Sequence, residues 1–141
     1  MPRSRRLLRA VALMLSAGAL AAGVAACGAS QQSEVRAKVM QFASAVHDHD
    51  YRALCAQVLA PALLADIASG GISCEKALGL GLAGVRDARL VIGTITITGS
   101  RASVVTLTQA HGERSALATL ELTHTGAGWR IASLGNAAAA G

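Results

Sequence analysis

Three groups of residues could carry chemistry by their type and spacing. Cys27 follows three small residues, Val24-Ala25-Ala26. Small side chains there would let a peptidase hold the backbone extended, and a thiol is a nucleophile that can be alkylated. Cys55 and Cys74 are the two other cysteines. His47-Asp48-His49-Asp50 is the one dense polar cluster, and imidazole with carboxylate is a donor set that suits zinc. Residues i and i+2 on a helix point apart, so the cluster could gather a metal only in an extended turn. The simpler expectation is a solvated helix end. Asp50 then caps the following helix, and the histidines complement the dipole of the preceding one. No metal site is expected, and no Cys-x-x-Cys spacing occurs.

The other candidates for catalysis are scattered. His111 and His124 fall in or near turns without a carboxylate orienter in sequence. Ser103 or Ser115 could join a Ser-His-Asp triad, but no Gly-x-Ser-x-Gly elbow is present. Glu121 lies between Leu120 and Leu122, so if the leucines face inward it points out, where Arg130 on the next strand could pair with it. Asp66, beside Leu64 and Ile67, is the remaining candidate for a pocket carboxylate; the alternative is an exposed helix carboxylate. No catalytic residue, metal ligand or cofactor is expected.

The segment that would deliver Cys27 has its own grammar. Arg3, Arg5, Arg6 and Arg9 form a basic start, and residues 10–26 are uncharged and rich in Leu, Val and Ala. This is the pattern of an export signal. The run is short of the roughly 20 apolar residues that span a bilayer comfortably. With Val24-Ala25-Ala26-Cys27 at its end, it resembles the lipobox of bacterial lipoproteins, although Leu is commoner than Val at the first of these positions. The resemblance implies loss of residues 1–26, lipid on Cys27, and a cell-membrane anchor on the extracytoplasmic face. Two acyl chains anchor stably where one does not. An uncleaved anchor helix and cleavage at an ordinary small-residue site are the alternatives. Ser4-Arg5-Arg6-Leu7-Leu8 hints at twin-arginine export, with Arg9 interrupting the expected apolar pair.

Without the signal, residues 27–141 suffice for one small domain. The formal charge of +5 overstates its basicity: four of the thirteen basic residues lie in the signal, leaving nine against eight acidic ones. No nucleic-acid partner is expected from that balance. Phe42, Tyr51 and Trp129 are the complete aromatic set, too few to stack bases or sugars. In an exported domain Cys55 and Cys74 are most simply a disulfide, with two separate buried thiols as the alternative.

Residues 27–32 read as a tether. Val35, Val39, Phe42 and Val46 then share one face of a helix over 33–48. Tyr51, Leu54, Cys55 and Val58 mark a second helix; Pro61 starts a third with Leu63, Leu64 and Ile67, ended by Gly70-Gly71; Ser73 caps a fourth from Cys74 to about Leu82. After Gly84 the period changes to that of strands, over 90–98, 101–110, 114–124 and 129–134. A two-residue turn at Gly99-Ser100 puts Ile95, Ile97, Ala102 and Val104 on one face. A three-residue loop at 111–113 brings Leu120 and Leu122 to that face, and Trp129 and Ile131 complete it. The other face keeps Val105, Leu107 and Leu117, which suggests a partner subunit or a covering segment. Residues 136–141 read as a flexible tail.

Ordered pieces of this pattern resemble the nuclear transport factor 2-like superfamily over about residues 33–135. They are Val39-x-x-Phe42-x-x-Ala45-Val46 before Asp50-Tyr51, Cys55 and Cys74 around the short helices, Ile95-Thr96-Ile97 before Gly99-x-x-Ala102, and Gly128-Trp129-Arg130-Ile131. The resemblance is nearest to small cysteine-paired versions on exported actinobacterial lipoproteins. It implies an α+β fold, with N-terminal helices packed on a curved four-stranded antiparallel sheet to form a cone with a pocket. The chain departs from the full pattern in having no clear helix between its strands. Members serve as binding or assembly modules or, in some branches, as isomerases, cyclases or dehydratases, and fold alone does not choose. The function expected here is a non-catalytic envelope module for a partner protein or a small apolar ligand, with a homodimer as one arrangement. The alternative is a small isomerase or cyclase using the cone pocket.

Overall fold

The computed structural model describes residues 23–135 and 138–139. The chain divides into two units, residues 1–31 and 32–141. Of the first, residues 23–31 are described, and they are helical, the opening of α1 (Gly23–His47). The stretch 27–32, expected as a tether, is therefore helical, with its side chains exposed. The expected signal, residues 1–26, lies outside the described residues except for its last four.

In the second unit α1 presents the apolar face that its spacing predicts. Val35, Val39 and Val46 are buried, and Phe42 packs against the same core. The helix stops where His49 takes a positive φ of 56°. Asp50 then caps α2 (Tyr51–Ala53), its Oδ1 accepting the Ala53 N–H at 2.9 Å.

The second predicted helix changes pitch. Leu54–Val58 is a π-helical turn, closed by the Leu59 N–H donating to the Leu54 carbonyl at 2.9 Å. Leu59 leaves it extended and pairs in parallel with Ile131, while the Ala60 N–H donates to the Ile131 carbonyl at 2.8 Å. Val58 and Leu59, adjacent in sequence, are thus both buried. The end of the turn leaves carbonyls for cations to satisfy: Lys38 Nζ donates to Gln57 O at 3.0 Å and Arg130 Nη1 to Ala56 O at 3.1 Å. Arg130 is therefore committed to the helical layer rather than paired with Glu121, a correction to the strand-adjacency argument.

Pro61 opens α3 (Pro61–Ser69), and Gly71, at φ 77°, follows its end. Ser73 Oγ accepts the Lys76 N–H at 3.3 Å and caps α4 (Cys74–Gly81). Cys55 and Cys74 form a disulfide with Cα atoms 6.1 Å apart, which ties the π-turn to the start of α4.

The sheet is an antiparallel meander of β1 (Arg89–Thr98), β2 (Arg101–Gln109), β3 (Ala116–Thr125) and β4 (Gly128–Ser133). Its register follows the turn lengths. Thr98 pairs with Arg101 across the two-residue turn, and Val104 with Leu120 as a three-residue loop requires. Pairing stops earlier than expected, at Thr108 and Ala116, although the tight turn remains, with the Glu113 N–H donating to Ala110 O at 3.1 Å. Two irregularities were not foreseen. A bulge between Ile92 and Ile95 shifts the phase of β1, so that Leu90 and Ile92 pack against the core with Ile95 and Ile97. A second shift lies where Glu121 and Leu122 meet β4. Within the expected tail, Ala138–Ala139 forms a short strand, β5, opposite Ala116 and Leu117 of β3. Helices and inner sheet face meet in one core of Val35, Val39, Leu54, Val58, Leu59, Val104, Leu120, Leu122, Trp129 and Ile131.

Candidate functional site

A cavity of about 270 Å³ opens beside this core. Phe42, Ala43 and Val46 line it from α1, Leu82, Val85 and Ala88 from the connection between α4 and β1, and Leu90 from β1. Thr108 and Ala116 close it from the paired ends of β2 and β3. The connection is held in place by two hydrogen bonds: Val85 N–H donates to Leu82 O at 3.0 Å, and His111 N–H donates to Arg86 O at 2.8 Å, which joins it to the β2–β3 loop. Asp87 turns the chain there with a φ of 51°, a conformation that Asp tolerates better than most residues.

The interior offers little to a polar ligand. The Thr108 hydroxyl donates to Ala116 O at 3.2 Å, and the buried Thr106 hydroxyl to Ala118 O at 3.2 Å, so both are spent on backbone. Polar groups gather at the mouth, where Arg89, Gln109, Glu113 and Arg114 line the opening. A shallower hollow adjoins it, bounded by Asp87, His111 and Gly112 and sharing Arg89, Gln109 and Glu113.

The candidates singled out by sequence fall elsewhere. Asp66 is an exposed residue of α3 and does not line the cavity, which removes it as a pocket carboxylate. Glu121 is exposed on β3. The His47–Asp50 cluster is a solvated helix end. His47 Nδ1 lies 3.4 Å from Ala88 O, Asp48 accepts from Ser44 Oγ at 3.2 Å, and His49 Nδ1 meets the Tyr51 hydroxyl at 2.9 Å. Among the described residues no group of three or more His, Cys, Asp or Glu is placed to hold a metal. His111 borders only the shallow hollow, and His124 stands edge-on to Trp129 with ring centroids 5.1 Å apart. Cys27 is exposed and outside any disulfide. Lys38 is held below the usual lysine range by burial and secondarily by the Arg130 charge. Its ammonium donates to Gln41 Oε1 at 2.7 Å and to the Gln57 carbonyl, away from the cavity.

Sequence reasoning missed Arg89 and Arg114, and it left residues 83–88, which carry the lining Val85 and Ala88, unassigned. No periodicity marks a connector, and only the register of three strands brings the two arginines to one end of the sheet.

The fold is matched among solved structures. The crystal structure of a suggested dehydratase of the NTF2-like family from Streptomyces avermitilis superposes with a TM-score of 0.54. The match covers 73% of this chain and 92% of that one at 17% identity. The fold is nuclear transport factor 2-like. The α+β architecture expected from the residues, helices first and then a four-stranded antiparallel meander, is thereby shown. No family model matches the sequence, and no curated protein is similar to it.

Proposed function

We propose that this chain is a non-catalytic module of the cell envelope, anchored by lipid on Cys27, that holds a small apolar ligand in the cavity between α1 and the sheet. The observation that carries this reading is the cavity's lining. It is built from Phe, Leu, Val and Ala side chains, contains no histidine, and has Glu113 as its one carboxylate, at the mouth. Proton transfer to or from a bound substrate needs a positioned acid or base within reach. An apolar enclosure without one favours retention over turnover. A partner protein or a second copy of the chain could use the outer sheet face, where Val91, Leu107 and Leu117 are exposed.

The anchoring half of the proposal rests on the basic start, the apolar run and Cys27. No described helix is long and apolar enough to cross a membrane. Replacing Cys27 by Ser should move the protein from the membrane fraction to the soluble one in its native host. Unchanged fractionation would contradict lipidation.

The binding half is tested by native mass spectrometry of the purified chain. Carried-over ligand mass is expected on the unaltered protein. Ala43→Phe, which projects a ring into the cavity from α1, should abolish it while leaving the far-ultraviolet circular dichroism unchanged. The solved structure described as a suggested dehydratase favours a second reading, a small isomerase, cyclase or dehydratase using the same cavity. In that case Glu113 is the lining residue able to exchange a proton. Consumption of a cavity ligand that stops in Glu113→Gln would decide for it.

A further inference from the structure

The mouth of the cavity differs in chemistry from its interior. Arg89 opens β1 and pairs across the sheet with Gln109, while Arg114 lies two residues before Ala116 in the β2–β3 loop. By register Arg89 shares the outward parity of Val91, but it opens an edge strand, and both arginines, distant in sequence, line the cavity. Among the described residues neither side chain has a hydrogen-bond or ion-pair partner. Glu113 is the opposing charge on the same rim, and Asp87 lies beyond it in the shallow hollow. Behind the rim the walls are apolar and the threonine hydroxyls are already engaged.

A ligand suited to both zones has an apolar body and a polar end. Two guanidiniums against one carboxylate at the opening favour an anionic end over a cationic one. The planar guanidinium fork matches a carboxylate in particular. Size narrows the class. A cavity of about 270 Å³ lies just below the range of roughly 300–1,000 Å³ common for small-molecule sites. At about 30 Å³ per atom, the share that a water molecule takes in the liquid, it holds on the order of ten non-hydrogen atoms. That volume suits one medium-length chain better than a sterol-sized body.

We infer that the cavity takes a medium-chain monocarboxylate, its tail between Phe42, Leu82 and Leu90 and its carboxylate at Arg114 and Arg89. The inference rests on the ligand-binding reading above and adds the ligand's chemical class. The head group stays at the exposed rim, so charge supplies selectivity while the tail supplies most of the affinity.

Calorimetric titration of the full chain with decanoate and with decanol, each below its aggregation limit, separates the two claims. Decanoate is expected to bind about tenfold more tightly, tenfold being about 1.4 kcal/mol. The advantage should shrink as salt is added, since the rim is exposed. Arg114→Gln combined with Arg89→Gln should remove it, bringing decanoate to the affinity of decanol on the same variant. Both side chains are exposed, so the variant should fold; the comparison of the two ligands on the unaltered chain does not depend on it. Equal affinities, or an advantage that survives both substitutions, would overturn the carboxylate assignment and leave an apolar site standing. Binding of neither ligand would overturn the ligand-binding reading itself.

Discussion

Trp129 is the one tryptophan and among the least exposed side chains, at 2% of its surface. Its place in the core was legible because Trp129 and Ile131 alternate on a strand after a glycine turn. Its surroundings were not: the indole N–H is buried without a hydrogen-bond partner among the described residues, and the His124 ring stands edge-on to it. An unpartnered N–H brings a desolvation cost and no compensating bond. The two obvious substitutions should therefore differ widely. Trp129→Ala leaves a large void and should cost about 3–5 kcal/mol. Trp129→Phe removes the orphan donor along with part of the volume and should cost only about 1–2 kcal/mol. Urea unfolding followed by circular dichroism measures both, and equal losses would mean that the indole nitrogen contributes to the fold. Side-chain pairing in general was hidden from sequence. Strand adjacency suggests that Arg130 on β4 pairs with Glu121 on β3, and adjacency alone cannot show the competing partner. The carbonyl that Arg130 serves, on Ala56, becomes available only because the second helix ends in a π-turn.

At the scale of elements, most of the architecture could be read from caps, turns and period. Asp50, Pro61 and Ser73 each start a helix where expected, and Gly99-Ser100 sets the register of β1 on β2. The bulge in β1 was missed, yet a trace of it is present in the residues. The apolar positions run Leu90, Ile92, then Ile95, Ile97, a change from even to odd that strict alternation cannot place on one face. One extra residue in the strand reconciles them. The π-turn left no such trace, because Leu54, Cys55 and Val58 suit an α-helix equally well. The disulfide from that turn to α4 matters because both elements are short and lend each other little local stability. Its loop is of the size for which the chain-entropy model gives about 3 kcal/mol. Cys55→Ser with Cys74→Ser should lower unfolding stability by about that much, as read by chemical denaturation against the oxidised protein. The double variant also avoids leaving one reactive thiol behind. A near-neutral outcome would show that helix packing alone fixes these elements.

The folded unit of residues 32–141 uses one face of its sheet for the helices and leaves apolar side chains on the other. Val91, Leu107 and Leu117 are aligned by register in one row across β1, β2 and β3. Val91 is 61% and Leu117 48% exposed, with Val105 beside them. Single exposed apolar residues are ordinary, but an aligned row on an antiparallel sheet is a surface whose burial is favourable at roughly 25 cal/mol per Å². Sequence alternation disclosed Val105, Leu107 and Leu117 on this face; Val91 joins them only through the bulge, since strict alternation would set it with Ile95 and Ile97. What covers it, alternation cannot say. Self-association through the face predicts a weight-average mass that rises with concentration in sedimentation equilibrium. Leu107→Lys, at the centre of the row, should return the chain to a monomer, since a buried lysine without a partner is costly. It points away from the cavity, so its thermal midpoint and its decanoate affinity should match those of the unaltered protein. Association that persists in the lysine variant would place the contact elsewhere on the chain, and a mass independent of concentration would leave the row as plain surface.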